Sequence, residues 1–162
     1  MYIEQSDNMS KYIYMTIPAS SPIFNKICAY CDKRIVEENL SINGGTLNYS
    51  GIVYDSDIMI VCFDKTKPVA FNSIVELHDS LYIYQIAVKN SHKKQGIGET
   101  LMHKAISIAK GKKKAVTAHV RDYNDASNHL FQKLGFEAVE PGSNTLYVLD
   151  TKDKNNNHKF AK

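Results

Sequence analysis

The sequence has little of what marks a secreted, membrane-spanning or nucleic-acid-binding protein. It has three cysteines among 162 residues, too few and too unevenly placed for a disulfide framework. No apolar run approaches the roughly 18 residues of a membrane span, and the N-terminus lacks the basic start and apolar core of a signal peptide. The formal net charge of +3 is small for a dedicated nucleic-acid binder. We therefore expect a soluble, cytoplasmic protein with no membrane and no nucleic-acid partner.

Patterns that would bind a metal ion are also missing. The Cys28-x-x-Cys31 pair has only Cys62 as a further thiol, and no second ligand pair is spaced to complete a site. The six histidines include no H-E-x-x-H arrangement. The lysine run at residues 110–114 is predicted to be a solvated basic surface at the end of a helix. The sequence thus predicts no metal.

The chain does contain the hydrophobic fraction, 43%, that one ordinary core requires. Residues 11–18 are rich in aromatic and β-branched side chains and predict a strand. A helix follows, with Ser21 as its cap and Pro22 in its first turn. The apolar stripe of this helix, at a spacing of four, consists of Ile23, Ile27, Cys31 and Ile35.

The remainder of the chain predicts three strands and then strands alternating with helices. The expected elements are strands at 58–63, 69–77 and 81–88, a helix ending at Gly111, a strand at 115–120, a helix opened by residues 122–125 with Ala126, Leu130 and Leu134 as its apolar face, and strands at 136–139 and 146–149. This order predicts an α/β fold with an α+β mixed sheet, in which an antiparallel meander is followed by β-α-β-α-β-β.

Both ends of the chain are expected to lie outside the folded domain. Residues 151–162 have almost nothing apolar to bury, so they cannot offset the entropy lost on ordering, and we expect a disordered tail. Residues 1–10 are expected to be a flexible N-terminus. A single domain at residues 11–150 remains.

The most informative stretch is the basic, glycine-containing turn at residues 91–101, between a strand and an amphipathic helix. Gly96 and Gly98 allow close approach to the backbone, and the helix N-terminus presents unpaired N–H groups to an anion. The dinucleotide fingerprint fails here because its third glycine would fall on Leu101, and no G-x-x-x-x-G-K-[ST] phosphate loop occurs in the chain. The pattern that remains is R/Q-x-x-G-x-G/A, with Lys93 at its first position.

A second block lies further along the chain, where residues 124–136 read NDASNHLFQKLGF. With the glycine turn, this block resembles the GNAT superfamily of N-acetyltransferases, whose later helix reads N-x-x-A-x-x-L-Y-x-K-x-G-F. Asn124, Leu130 and Lys133 match that pattern, whereas Phe131 stands where the family often has Tyr. The resemblance covers about residues 10–150 and implies a GNAT-like acyl-CoA N-acyltransferase fold that uses acetyl-CoA.

The resemblance also implies a cofactor site. The strand end would pair with the pantetheine arm through its backbone, the glycine turn would hold the pyrophosphate through its amides, and Asn124 would contact the arm or simply cap its helix. The implied cofactor-binding residues are Ile86, Ala87, Val88, Lys93, Lys94, Gln95, Gly96, Ile97, Gly98, Glu99, Asn124 and Phe131.

Catalysis needs a proton acceptor for the amine and a way for the thiolate to leave. Glu76 is the first candidate base, with His78 and His119 behind it. Because Phe131 has no proton to give, Tyr123 is the first substitute acid, and Tyr84 and Tyr147 are alternatives. In the family a backbone N–H stabilises the tetrahedral intermediate, which here implies Val88.

The leading hypothesis is therefore an N-acetyltransferase acting by direct attack in a ternary complex. The acceptor is a primary amine, either a small amine such as a polyamine or a protein lysine or N-terminus, and residues 40–57 and 140–144 would flank it. Asp55, Asp57, Glu76 and Asp79 would favour a cationic acceptor. The alternative is a catalytically weak CoA-binding sensor or interaction module, as a monomer or homodimer.

Overall fold

The computed structural model describes residues 2–5, 11–39 and 55–152. They divide into two compact units, the first drawn from residues up to Glu76 together with Tyr84–Lys104, and the second from Leu77–Ile83 and the residues from Ala105 onward. One strand and one helix each contribute residues to both units. The predicted acceptor-flanking segment at 40–54 and most of the predicted tail, from residue 153, lie outside the described residues.

The elements follow one another in the order that the sequence predicts from residue 11 onward. The strands are β1 (Tyr2–Gln5), β2 (Tyr12–Pro18), β3 (Ile58–Asp64), β4 (Lys67–Glu76), β5 (Ser80–Val88), β6 (Ala115–Arg121), β7 (Glu137–Glu140) and β8 (Asn144–Leu149). The helices are α1 (Phe24–Cys31), α2 (Ile97–Gly111) and α3 (Asp125–Lys133), with a π-helical segment at Asp32–Glu37 and a 3₁₀ turn at Asn90–His92.

In the first unit, the strand order is β1-β2-β3-β4 and then the end of β5. β2 pairs antiparallel with β3, and β3 with β4 through a hairpin whose Lys65 is left-handed at φ 56°. β1 pairs with β2, although residues 1–10 are expected from the sequence to be flexible. Tyr2 and Ile3 supply the aromatic and β-branched types that favour a strand, but the segment is short and carries no turn signal.

The helical segment of the first unit packs on this sheet through a stripe that differs from the predicted one. Phe24 and Cys28 are buried with Cys31 and Ile35, whereas Ile23 and Ile27 are only partly buried. The predicted cap at Ser21 is wrong, because Ile23 holds the N-cap position and no side chain bonds to the helix start. The buried residues follow spacings of four, three and four, which keep to one face of a helix, whereas the predicted spacing of four throughout drifts around it.

In the second unit, the beginning of β5 pairs parallel with β6, β6 pairs antiparallel with β8, and β8 antiparallel with β7. The sheet pairings of the protein are therefore mixed, as predicted. α3 buries Phe131, at 2% exposure, while Leu130 and Leu134 are partly buried and Ala126 is exposed, so the predicted apolar face is wrong at Ala126 and omits Phe131. Phe131 is buried because its ring packs against two aromatic neighbours, Phe136 and Tyr147.

Within the described residues, no helix is both long enough and apolar enough to span a bilayer. The same part of the chain holds no group of three His, Cys, Asp or Glu side chains arranged to bind a metal ion.

Candidate active site

The end of β5 is held by side-chain and backbone bonds from other parts of the first unit. Asn39 Nδ2 donates to the Val88 carbonyl at 2.8 Å, and the Asn90 N–H donates back to Asn39 Oδ1 at 3.1 Å. The Lys89 N–H donates to the Val69 carbonyl at 2.8 Å, which places the end of β5 beside the beginning of β4. The predicted pantetheine residues Ile86, Ala87 and Val88 end this strand and are all partly buried.

The glycine turn follows directly and is built from exposed residues between two anchors. Lys93, Lys94, Gln95 and Gly96 are all exposed, whereas His92 before them is partly buried and Ile97 after them is 2% exposed. Lys94 and Gly96 are left-handed, at φ 63° and 78°. Alternation of this kind turns successive backbone N–H groups toward one side and forms a concave anion site.

α2 adds further donors to this turn. Its first internal hydrogen bond runs from the Thr100 N–H to the Gly96 carbonyl at 3.0 Å. The N–H groups of Ile97, Gly98 and Glu99 therefore precede the helical bonding pattern and have no acceptor within the helix. A Cβ built on Gly96 would meet nothing within 4 Å, so there is open space above the turn. Residues 93–99, which the sequence predicts to hold a pyrophosphate, are thus one continuous stretch, called the cradle below, and Lys93 and Lys94 add positive charge to it.

One carboxylate lies beside this cradle. His92 Nε2–H donates to Asp64 Oδ2 at 2.9 Å, and the Ser91 hydroxyl lies 2.7 Å from His92 Nδ1. The hydrogen bond from His92, with smaller contributions from Lys11 and Lys65, lowers the pKa of Asp64 below its ordinary value. The sequence analysis did not name Asp64 or His92, because they are 28 residues apart and only the strand register brings them together.

The structure separates Glu76, the first candidate base, from the predicted oxyanion donor. Val69 lies beside the end of β5, and Glu76 comes seven positions later at the far end of β4. A strand advances about 3.3 Å per residue, so about 23 Å of β4 separates Glu76 from the residue beside Val88. The backbone N–H of Glu76 donates to Asp57 Oδ2 at 2.7 Å, which brings two of the predicted acidic residues together.

Tyr84, an alternative acid, lies on β5 in the first unit and is 39% exposed. The residues predicted on and around α3 belong to the second unit. Asn124 caps α3, since its Oδ1 accepts from the Ser127 N–H at 3.2 Å. Tyr123 is 73% exposed, and the Arg121 guanidinium lies 6.0 Å from its ring centroid. Phe131 is buried, so its ring belongs to the core of this unit. Tyr147 lies beside it, with its hydroxyl donating to Asn128 Oδ1 at 2.7 Å.

The second unit also holds a hydrogen-bonded pair, Tyr82 and His119, of which the sequence analysis named only His119. The Tyr82 hydroxyl lies 3.0 Å from His119 Nδ1, with ring centroids 5.7 Å apart. His119 is exposed and Tyr82 partly buried. His119 is among the candidate bases, but Tyr82 is not. The signal that could have found it is the alternation along β5, where Leu81 and Ile83 are buried and Tyr82 faces the other way.

Comparisons with known proteins agree with this arrangement. The model of the Acetyltransferase (GNAT) family matches residues 32–136, which is more than half of the chain. Among solved structures, PaiA N-acetyltransferase from Thermoplasma acidophilum, in complex with coenzyme A, is similar with a TM-score of 0.63 and 13% identity, over 93% of this chain and 99% of that one.

Two further structures show the same fold. Ribosomal-protein-S18-alanine N-acetyltransferase from Escherichia coli has a TM-score of 0.57 and 18% identity, with 83% of this chain and 90% of that one covered. A putative streptothricin acetyltransferase from Bacillus anthracis, in complex with acetyl coenzyme A, has a TM-score of 0.52 and 18% identity. That match covers 57% of this chain and only 61% of that one. With the glycine cradle after β5 and a family match over residues 32–136, the chain belongs to the GNAT acetyltransferase family.

Proposed function

We propose that this protein transfers an acetyl group from acetyl-CoA to a primary amine by direct attack in a ternary complex. The observation that carries this proposal is the cradle at residues 93–99, where Lys94 and Gly96 are left-handed and α2 begins directly after them. A diphosphate is the natural ligand of such a cradle. Membership of the family and the CoA complexes of two similar structures support the same assignment.

The acetyl donor would bind as an added strand. With its diphosphate in the cradle, the pantetheine arm would run back along β5, exchanging backbone hydrogen bonds with Ile86, Ala87 and Val88. The Val88 carbonyl accepts from Asn39, and we assign the Val88 N–H to the acetyl donor or the intermediate. This is consistent with the family role expected for Val88, donation to the tetrahedral oxyanion.

The reaction begins when a neutral amine nitrogen attacks the thioester carbonyl carbon. The carbonyl π electrons move to oxygen, and the resulting intermediate collapses with cleavage of the C–S bond. The amine loses one proton, and the thiolate leaves with the bonding pair and is later protonated. A thiol of pKa near 8.5 is a tolerable leaving group, so transfer does not require an acid at the position of Phe131. Tyr123 stays the first candidate for that acid.

For the proton acceptor we favour His119 with Tyr82 over Glu76. The Tyr82 hydroxyl is 3.0 Å from His119 Nδ1, so the phenolic oxygen can take the amine proton while its own proton passes to the imidazole. Tyr82 lies on β5, the strand whose end would bind pantetheine. Tyr82 lies about 20 Å along β5 from Val88, and Glu76 lies about 23 Å along β4 from the residue beside Val88. Distance therefore does not separate the two candidates, and the preference rests on the hydrogen bond between Tyr82 and His119.

The acceptor is a primary amine of a small molecule or of a protein. Asp55, Asp57 and Glu76 at one end of the first unit would favour a cation, such as a polyamine or a lysine side chain. One similar structure acts on the alanine of ribosomal protein S18 and another is named for streptothricin, so both acceptor classes belong in the test.

The test is acetyl-CoA with a panel of polyamines, aminoglycosides, lysine peptides and free-N-terminus peptides, with free thiol as the readout. We expect amine-dependent thiol release, and reactions without amine or without protein give the background. Tyr82→Phe and His119→Gln should each lower kcat at least tenfold with little change in CoA affinity, and the double variant should lose no more than the worse single one. Full activity of both variants would instead return the base role to Glu76.

A second function is favoured by one observation, the burial of Phe131 in a core where the neighbouring Tyr147 hydroxyl is already bonded to Asn128. A protein with this core can bind CoA without turning it over, as a sensor or interaction module. Protection by CoA against thermal unfolding, with no thiol release from any acceptor, would support this function. Absence of any protection by CoA would contradict both.

A further inference from the structure

We propose that His92, held by Asp64, is a positioning residue that fixes the shape of the cradle and thereby determines affinity for the diphosphate of CoA. This inference rests on the proposed function, because it takes residues 93–99 to be the diphosphate site. It adds a requirement that the family motif does not contain, since both residues lie outside the R/Q-x-x-G-x-G/A hexapeptide.

His92 is anchored by a residue of the sheet. Asp64 is the last residue of β3 and pairs across the sheet with Tyr12 of β2 on one side and Lys67 of β4 on the other. Its side chain is 27% exposed and that of His92 is 18% exposed. A carboxylate only accepts hydrogen bonds, so the 2.9 Å contact places a proton on His92 Nε2, and Nδ1 shares a hydrogen bond with the Ser91 hydroxyl. Both ring nitrogens are therefore used, and the ring orientation is fixed.

The turn that follows needs such an anchor. Its four residues, Lys93 to Gly96, are exposed, and Lys94 holds a left-handed conformation that a residue with a Cβ seldom adopts. An unfavourable backbone conformation persists only where the surroundings hold it in place. Ile97 anchors the turn at its C-terminal end by burial, and His92 anchors it at its N-terminal end by the bond to Asp64.

A second contact from the same sheet acts on the middle of the turn. The Tyr12 hydroxyl donates to Gln95 Oε1, and the Tyr12 ring meets the His92 ring edge-on with centroids 6.1 Å apart. Tyr12 and Asp64 are paired residues on adjacent strands, so one strand pair holds both His92 and Gln95. The charged groups around Asp64 are Lys11 and Lys65, which keep this edge of the sheet from repelling an anion.

The test compares ligands with and without the diphosphate in calorimetric titrations of the full chain. We expect His92→Ala to weaken CoA binding at least tenfold while leaving pantetheine binding unchanged, because pantetheine lacks the diphosphate. His92→Gln should restore most of the affinity, since the Gln amide can donate to Asp64 in place of Nε2–H. His129→Ala is the matched control, because His129 is an exposed histidine on α3. This variant should bind CoA as the wild type does.

Hydrogen exchange on the free protein gives a second readout if pantetheine binds too weakly to titrate. His92→Ala should speed exchange of the amides at 93–99 and leave those of β3 unchanged, and His92→Gln should not. Equal loss of CoA and pantetheine affinity, or unchanged CoA affinity and exchange in His92→Ala, would overturn the inference while the proposed function stands. Failure of the wild type to bind CoA would overturn both.

Discussion

The rings of Phe131 and Tyr147 stack nearly parallel, with 14° between their planes and 5.6 Å between their centroids, and Phe136 meets Phe131 edge-on at 4.9 Å. Phe131 thus occupies a packing position at the point where the family often has a Tyr that protonates the thiolate. The Tyr147 hydroxyl beside it donates to Asn128 and accepts from Gln132. A structural role is therefore the first to test for this residue.

Phe131→Ala should lower the free energy of unfolding by about 3–5 kcal/mol, because it removes a buried aromatic ring and leaves a cavity. Urea unfolding followed by circular dichroism measures this difference. Tyr123→Ala is the control, since Tyr123 is 73% exposed and its loss should change stability by about 0.5 kcal/mol or less. A small effect of Phe131→Ala would show that the three-ring cluster contributes little to the core.

Gly96→Ala should cost about 1–2 kcal/mol, because φ at this position is 78° and an L-residue is disfavoured there. Steric overlap adds nothing in the free protein, since the new Cβ would meet no atom within 4 Å. CoA binding should fall further than stability does, as the methyl group would occupy the open space of the cradle. Gly142→Ala, also without close neighbours but with no left-handed φ, should be neutral or slightly stabilising.

Substituting Asn124 with Ala and with Ser separates its two expected roles, which are capping α3 and contacting the cofactor. Asn124→Ala should lower stability by about 1 kcal/mol, because the Ser127 N–H loses its acceptor. Asn124→Ser keeps a capping oxygen and should retain most of the stability. If Asn124→Ser nevertheless binds CoA more weakly than the wild type, the amide contacts the cofactor. Equal CoA affinity in the wild type and Asn124→Ser would leave capping as its role.

The bond between Asp64 and His92 should appear in the acid unfolding of the protein. Because this bond lowers the pKa of Asp64, it contributes stability that is present above the ordinary Asp value of 3.8 and lost as the pH falls through the folded value. The difference in unfolding free energy between wild type and Asp64→Asn should thus shrink as the pH falls from about 6 to about 2.5. In a His92→Ala background this pH-dependent difference should be smaller, with only the contributions of Lys11 and Lys65 left, and urea titrations at each pH can measure it.

The three cysteines should not interfere with a thiol-release assay. All three are free and buried, and burial raises the pKa of Cys28 and of Cys62 to about 11 and raises that of Cys31 further. Little thiolate exists at pH 8, so the native protein should react slowly with a disulfide reagent. Three thiols should react promptly in concentrated guanidinium chloride. A fast-reacting thiol in the native protein would show that one of these sites opens in solution.

The order of elements could be predicted from the sequence because the signals are local. The aromatic and β-branched run at 11–18, the change of period after Val88 and the cap at Asn124 each lie within a few residues of the element that they mark. The glycine turn could be placed for the same reason, since it consists of seven consecutive residues, and its binding of a diphosphate stays a prediction.

The contacts that hold the cradle could not be predicted. Asn39 reaches Val88 across 49 residues and Tyr12 reaches Gln95 across 83, and such pairs depend on which strand residues lie opposite one another. A one-residue shift between β2 and β3 would move Asp64 away from Tyr12, and nothing in the local pattern specifies that register. The pair of Tyr82 and His119 was missed for the same reason, because its partners lie on different strands 37 residues apart.

The π-helical turn at Asp32–Glu37 determines how the end of β5 is held, because it sets the direction of Asn39. A π-helical turn holds one more residue than the α-helical turn it replaces, so it corresponds to a one-residue insertion. Helical residues resume at Glu38 and Asn39, and the insertion therefore decides which way Asn39 faces. Deleting one residue between 32 and 37 would rotate Asn39 by about 100° and remove it from Val88. In a relative with an uninterrupted helix, the donor to the carbonyl that corresponds to that of Val88 would have to come from a different position in the chain.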